Sequence, residues 1–120
     1  MARILIIDDE ESVRALLRSV LEAAGYEVVE AAHGRQGLER YRERPTDLVI
    51  VDMLMPVMSG LDMLLDLTRE FLHAKVIAIS GASGEQNVLD VAKLLGARQA
   101  FQKPFGMPLL LGAVRYELEH

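Results

Sequence analysis

Ile4-Leu5-Ile6-Ile7-Asp8-Asp9-Glu10 sets four apolar residues in a row against three acids. A run this short, rich in β-branched residues and without alternation, reads as a strand buried on both faces. The pattern recurs down the chain. Leu48-Val49-Ile50-Val51 ends in Asp52, and Val76-Ile77-Ala78-Ile79 ends in Ser80. A further strand is expected from Tyr26 to Ala31, and a short last one near Ala100 and Phe101, running into Lys103 and Pro104.

Helical spacing fills the intervals. Val13, Leu16, Leu17, Val20, Leu21 and Ala24 form one stripe, stopped by Gly25. A weaker amphipathic helix is expected from about Gly34 to Arg44, ended by Pro45. Leu61, Leu64, Leu65 and Thr68 mark a third helix. Val88, Val91, Ala92 and Leu95 mark a fourth, stopped by Gly96. The last begins near Met107 or Pro108 and carries Leu110, Ala113 and Val114 on its stripe. Strand and helix thus alternate five times. That order implies right-handed crossovers and an α/β fold: a doubly wound, five-stranded parallel sheet with helices on both faces.

The 120 residues, 51% apolar, suffice for one domain with a real core and leave no room for two. The absence of cysteine excludes a disulfide framework and a thiolate zinc site. A net charge of -5 argues against a nucleic-acid-binding surface. No apolar run approaches the ~20 residues of a membrane span, and Ile4 to Ile7 is too short for a signal-peptide core. A soluble cytoplasmic domain is expected, touching neither nucleic acid nor membrane. Leu118-Glu119-His120 reads as the start of a C-terminal purification tag, so the domain itself is expected over residues 1–117.

In such sheets ligands bind outside the carboxyl ends of the strands. Asp8 and Asp9, Asp52, Ser80 and Lys103 all fall at that edge. Three converging carboxylates repel one another unless a cation sits among them. No His or Cys accompanies them, so a hard, oxygen-seeking ion such as Mg²⁺ is favoured. A carboxylate is also a nucleophile toward phosphorus. A transferring phosphoryl group needs a metal ion, an ammonium and a hydroxyl or N–H around its oxygens, and this edge supplies them. Taken singly, a strand-end Asp or Ser is usually a helix cap or turn former. It is the conjunction at one edge that points to a site. His33 and His73 have no second ligand at a useful spacing and are not read as metal ligands.

The most specific stretch is Asp52-Met53-Leu54-Met55-Pro56-Val57-Met58-Ser59-Gly60. Together with Ile6-Ile7-Asp8-Asp9-Glu10, Ser80-Gly81 and Lys103-Pro104-Phe105, it makes the chain resemble the receiver domain of two-component response regulators over nearly its whole length. The resemblance implies a flavodoxin-like sheet ordered 2-1-3-4-5 and a cis Lys103–Pro104 bond. It implies that Asp52 accepts a phosphoryl group from a histidine kinase or phosphotransfer protein. Asp9 and Asp52 would bind Mg²⁺ directly and Asp8 partly through water, with the backbone carbonyl of Leu54 completing the protein ligands. Ser80 and Lys103 would hold phosphoryl oxygens. The implied role is a signalling switch rather than an enzyme. Its output surface, roughly Glu85 to Tyr116, would face an output domain or a downstream protein. Kinase contacts are implied near Arg14, Ala15 and Arg18, although a solvated helix face explains those residues equally well. Homodimerisation on phosphorylation is common in the family.

The chain departs from the family where a Tyr or Phe usually stands three residues before the lysine; here that residue is Ala100. Side chains alternate along a strand, so Phe101 is expected to turn to the other face as a core residue. Signalling is then expected to rely on Ser80 and the loop from Gly81 to Gly84. Ala100 also leaves room for an alternative, a pseudo-receiver interaction module that is never phosphorylated, against which the intact Asp8, Asp9, Asp52, Ser80 and Lys103 argue. A phosphatase or nucleotide-binding enzyme fits poorly, since acids replace a Gly-rich loop after the first strand. Met55 and Met63 are expected to pack under a loop, with Met53 open.

Leu54 and Ala82, two residues past Asp52 and Ser80, offer no side-chain hydrogen bond to an attacking water. Slow loss of the phosphoryl group is therefore expected. The double substitution Leu54→Asn, Ala82→Glu should hasten the decay of phosphorylated protein in a time course, and an unchanged decay would refute this reading.

Overall fold

A computed structural model of the chain describes residues 1–53, 60–81 and 86–120. The chain runs through β1 (Arg3–Ile7), α1 (Glu11–Ala23), β2 (Glu27–Ala31), α2 (Gly34–Glu43) and β3 (Leu48–Asp52). It continues through α3 (Gly60–Glu70), β4 (Val76–Ser80), α4 (Gln86–Leu94), β5 (Gln99–Gln102) and α5 (Met107–Glu119). The five strands pair in parallel in the order β2-β1-β3-β4-β5. This is the doubly wound, flavodoxin-like α/β sheet.

The unbroken apolar runs follow from burial on both faces. Ile4 and Ile6, Leu48 and Ile50, and Ile77 and Ile79 face α1 and α5, where they meet Leu17, Leu21, Leu110 and Val114. Leu5 and Ile7, Val49 and Val51, and Val76 and Ala78 face the other way, onto Leu38, Met63, Leu64, Leu67, Leu89 and Ala92 of α2, α3 and α4. Each large side chain fully withdrawn from water contributes about 1.5–3 kcal/mol. A polar residue anywhere in these runs would therefore be buried, whichever way it pointed.

The helix ends obey the same local rules. Gly25 and Gly96 follow α1 and α4 with φ of 96° and 115°, a region that other residues enter only with strain. The imidazole of His33 caps α2 by accepting the Gln36 N–H at 3.2 Å, while the Gln36 side chain accepts the Ala32 N–H at 2.7 Å. The two bonds tie the first turn of α2 to the residues before it, with the His33 ring in the accepting role that Ser or Thr usually fills at an N-cap.

Three helix stripes differ from the periodicity reading. Leu16 of α1 is 53% exposed, and Ala24 is exposed beyond the helix. In α3 the buried positions include Met63 and Leu67, and in α4 they are Leu89 and Ala92, with Val91 turned outward. Adjacent apolar residues at 88–89 and 91–92 fit either of two helix phases, and contact with β4 and β5 selects one. Met63 is packed as expected, and Met53 is buried as well. Ala100 packs toward the α2–α4 side, and Phe101 lies on the α1–α5 side against Phe105, 5.8 Å between centroids. Glu117 of α5 is buried where a solvated charge would be expected. Its carboxylate accepts from Gln99 Nε2 at 2.9 Å, and Lys75 Nζ donates to its backbone carbonyl at 2.7 Å. The helix continues through Leu118, which packs against the α1–α5 core, to Glu119. Among the described residues no helix is long and apolar enough to cross a membrane.

Gly60 opens α3 hard against the end of β3. Its N–H donates to the Met53 carbonyl at 3.0 Å, and a Cβ at this position would overlap the Asp52 carbonyl oxygen and the Met53 Cα. Both obstacles are backbone, so neither can swing aside. Gly60→Ala should cost about 1–3 kcal/mol in urea denaturation. A midpoint equal to wild type would show that α3 can retreat freely.

Candidate functional site

Every strand-end residue of interest sits at the carboxyl edge of the sheet. Asp8 and Asp9 follow β1, while Asp52 and Ser80 are the last residues of β3 and β4. Asp8, Asp52 and Ser80 are buried, and Asp9 is exposed. The strand ladder itself sets these positions. The Asp8 N–H donates to the Ala31 carbonyl at 3.2 Å, and the Met53 N–H to the Ile79 carbonyl at 2.8 Å. The Lys103 N–H donates to the Ser80 carbonyl at 2.6 Å, which brings the residue after β5 alongside the end of β4. The Lys103–Pro104 peptide is cis, as the resemblance implies.

Asp8, Asp9 and Asp52 each bring one carboxylate oxygen within 4.8 Å of the others. Two oxygens on one Mg²⁺ ion lie at most about 4.2 Å apart, twice the metal–oxygen distance, so small side-chain rotations suffice to close on such an ion. The donor set is all oxygen, which suits a hard divalent cation and not a soft one. Asp8 Oδ1 accepts the Glu10 N–H at 2.9 Å, and this fixes its carboxylate.

Lys103 is the cationic member. Its Nζ lies 3.3 Å from Asp8 Oδ2, 3.6 Å from Asp52 Oδ2 and 3.9 Å from Glu10 Oε1. Burial penalises the charged ammonium, but Asp52, Asp8 and Glu10 together outweigh that penalty and hold its pKa above the ordinary lysine value. Lys103 is therefore an ammonium throughout the neutral range. One such charge cannot balance three carboxylates, and the remaining negative field is what a divalent cation would neutralise.

The geometry thus brings Asp8, Asp9, Asp52 and Lys103 into one cluster, with Ser80 bound to Lys103 through the backbone. Leu54, Met55, Met58 and Ala82 to Gly84 lie outside the described residues, and so do the expectations placed on them.

The family model for the response regulator receiver domain matches residues 4–115. This chain belongs to that family. It is 38% identical over 104 residues to the chemotaxis protein CheY of Thermotoga maritima, covering 86% of each chain. Among solved structures it is similar to a response regulator receiver domain protein from Clostridium thermocellum, with a TM-score of 0.93 and 32% identity over 99% of this chain and 95% of that one. It is also similar to the response regulator protein TrrA of Thermotoga maritima, solved in complex with Mg²⁺ and BeF, with a TM-score of 0.89 and 32% identity over 98% and 99% of the two chains. Receiver domains are signalling domains of two-component systems. They work with histidine kinases or phosphotransfer proteins and with output domains, and they bind Mg²⁺ at an acidic site.

Residue patterns did not reveal how Arg14 and Arg18 are used. Both arginines reach Glu30 on β2: Arg14 Nε donates to Oε1 at 3.1 Å and Arg18 Nη1 to Oε2 at 2.6 Å. Arg14 Nη1 also donates to the Asp8 carbonyl at 2.6 Å. The available signal was an acid on the otherwise apolar face of β2, opposite two arginines one helical turn apart. Arg18's hydrogen bond lowers the Glu30 pKa; burial opposes this, and Arg14's hydrogen bond reinforces it. A carboxylate with a depressed folded pKa stabilises the fold above its unfolded pKa, and that stabilisation is lost as pH falls through the folded value. Glu30→Gln should therefore cost about 1 kcal/mol at pH 7. Below about pH 4.3 the loss should shrink, so that wild-type and variant urea midpoints converge. A gap that stays constant with pH would exclude the ion pairs as its source.

Proposed function

We propose that Asp52 is the phosphoacceptor, phosphorylated by a histidine kinase or phosphotransfer protein, and that the chain acts as a signalling switch. The observation that carries this reading is Asp52 itself. It is buried at the end of β3, with the carboxylates of Asp8 and Asp9 within 4.8 Å and the Lys103 ammonium at 3.6 Å. A buried carboxylate facing both further carboxylates and a cation suits phosphoryl transfer better than a structural cap does.

Asp8, Asp9 and Asp52 are the residues that would hold Mg²⁺, with the Leu54 carbonyl as a further ligand. The ion, when bound, offsets negative charge on the phosphoryl oxygens. An Asp52 oxygen attacks the phosphorus of a phosphohistidine. The phosphorus–nitrogen bond breaks, its electron pair stays on the imidazole, and an aspartyl phosphate is formed. Lys103 gives its ammonium to a phosphoryl oxygen, and Ser80 its hydroxyl to another. The new group is dianionic or nearly so, and it can drive a switch only if two conformations differ in their contacts to it. Ala100 carries no ring to swing, and Phe101 is engaged with Phe105 on the opposite face. Both features support a switch run by Ser80 and the segment after it rather than by an aromatic side chain.

Incubation with Mg²⁺ and a small phosphodonor should add the mass of one phosphoryl group to the protein. The gain should vanish in Asp52→Asn and on chelation of the metal. A folded protein that gains no mass, from a small donor or from its cognate kinase, would instead be a pseudo-receiver interaction module.

A further inference from the structure

Arg14 makes two contacts that a solvated helix face does not call for. One is to Glu30 and the other to the backbone carbonyl of Asp8. That carbonyl belongs to the peptide joining Asp8 to Asp9. The peptide is planar, so fixing its C=O direction restrains ψ of Asp8 and φ of Asp9 together. Those two torsions decide where one carboxylate lies relative to the other.

We infer that Arg14 is a positioning residue for the acidic site: by gripping the peptide between Asp8 and Asp9, it holds their carboxylates in the arrangement that receives Mg²⁺. The inference rests on the metal-assisted reading given above. The arginine is itself held on a rigid base. Its side chain is 15% exposed, and Nε is bound to Glu30, whose other oxygen is taken by Arg18. Glu30 stands on β2 opposite Ile6 of β1, so the clamp joins the edge strand, α1 and the acidic turn. The planar guanidinium can serve the carbonyl and the carboxylate at once, whereas a lysine ammonium is a point charge on a flexible stem.

Charge and positioning predict opposite signs, which makes the idea testable. If Arg14 acted on the site only as a positive charge, its removal would tighten the binding of a cation. If it positions the carboxylates, removal weakens binding. The test is calorimetric titration with Mg²⁺ alone, on wild type, Arg14→Met, Arg14→Lys and Arg18→Met. Arg14→Met should raise the dissociation constant by about tenfold, the scale of losing a residue that orients metal ligands. Arg14→Lys should recover only part of that loss, and it decides the matter if the methionine variant fails to fold. Arg18→Met removes a Glu30 partner and leaves the carbonyl contact, so its Mg²⁺ affinity should match wild type. With a small phosphodonor, Arg14→Met should need more Mg²⁺ for half-maximal labelling yet approach the wild-type rate at saturation.

Equal or tighter Mg²⁺ binding by folded Arg14 variants would overturn the positioning role and leave the phosphoacceptor reading standing. An equal loss in Arg18→Met would overturn it too, by tracing the effect to general loosening of α1. No Mg²⁺ binding by wild type would remove the metal-assisted reading itself, and this inference with it.

Discussion

Two buried carboxylates, Asp8 and Asp52, end neighbouring parallel strands and would repel each other without compensation. The Lys103 ammonium, within 3.6 Å of both, supplies part of it. The rest of the architecture follows from keeping that trio together. β1 and β3 must be adjacent, which requires the crossover order seen in the sheet. The end of β5 must return to the same edge, and the Lys103 amide does so by binding the Ser80 carbonyl. A site with residual negative charge is then built into the fold. Any cation or anion that enters such a site changes the charge balance around both carboxylates.

The strands were the legible part of the sequence, and the reason is physical. Where a parallel sheet is covered on both faces its strands read as apolar runs. The central strands β1, β3 and β4 therefore stand out and each is closed by the first polar residue, whereas the edge strands β2 and β5 carry polar residues of their own. Asp8, Asp52 and Ser80 could be placed that way before any geometry was known. The helices were less legible. Where two apolar residues are adjacent, as at Val88-Leu89 and Val91-Ala92, periodicity allows two phases, and only the packing partner chooses.

Charged residues that bind partners far away in the sequence were the least legible. Arg14, Arg18 and Glu117 carry the composition of a solvated surface, and a helix pattern counts them as outward-facing. Their partners come from β2, from the turn after β1 and from the start of β5, separations that no local rule spans. An acid on a strand's inner face deserves the question of which cation reaches it.

The arginine clamp over β2 also bears on how this molecule keeps to itself. β2 is an edge strand, and edge strands invite pairing with a neighbour's backbone. Glu30 points toward α1, half-buried on the same strand face as Val28, and two guanidiniums fasten it there. Another chain that tried to extend the sheet would have to settle beside a charged, laterally braced strand rather than a flat hydrophobic one. A charged side chain pointing inward from an edge strand is one of the features that disfavour such pairing, so the arginine clamp serves the strand's edge as well as the acidic turn.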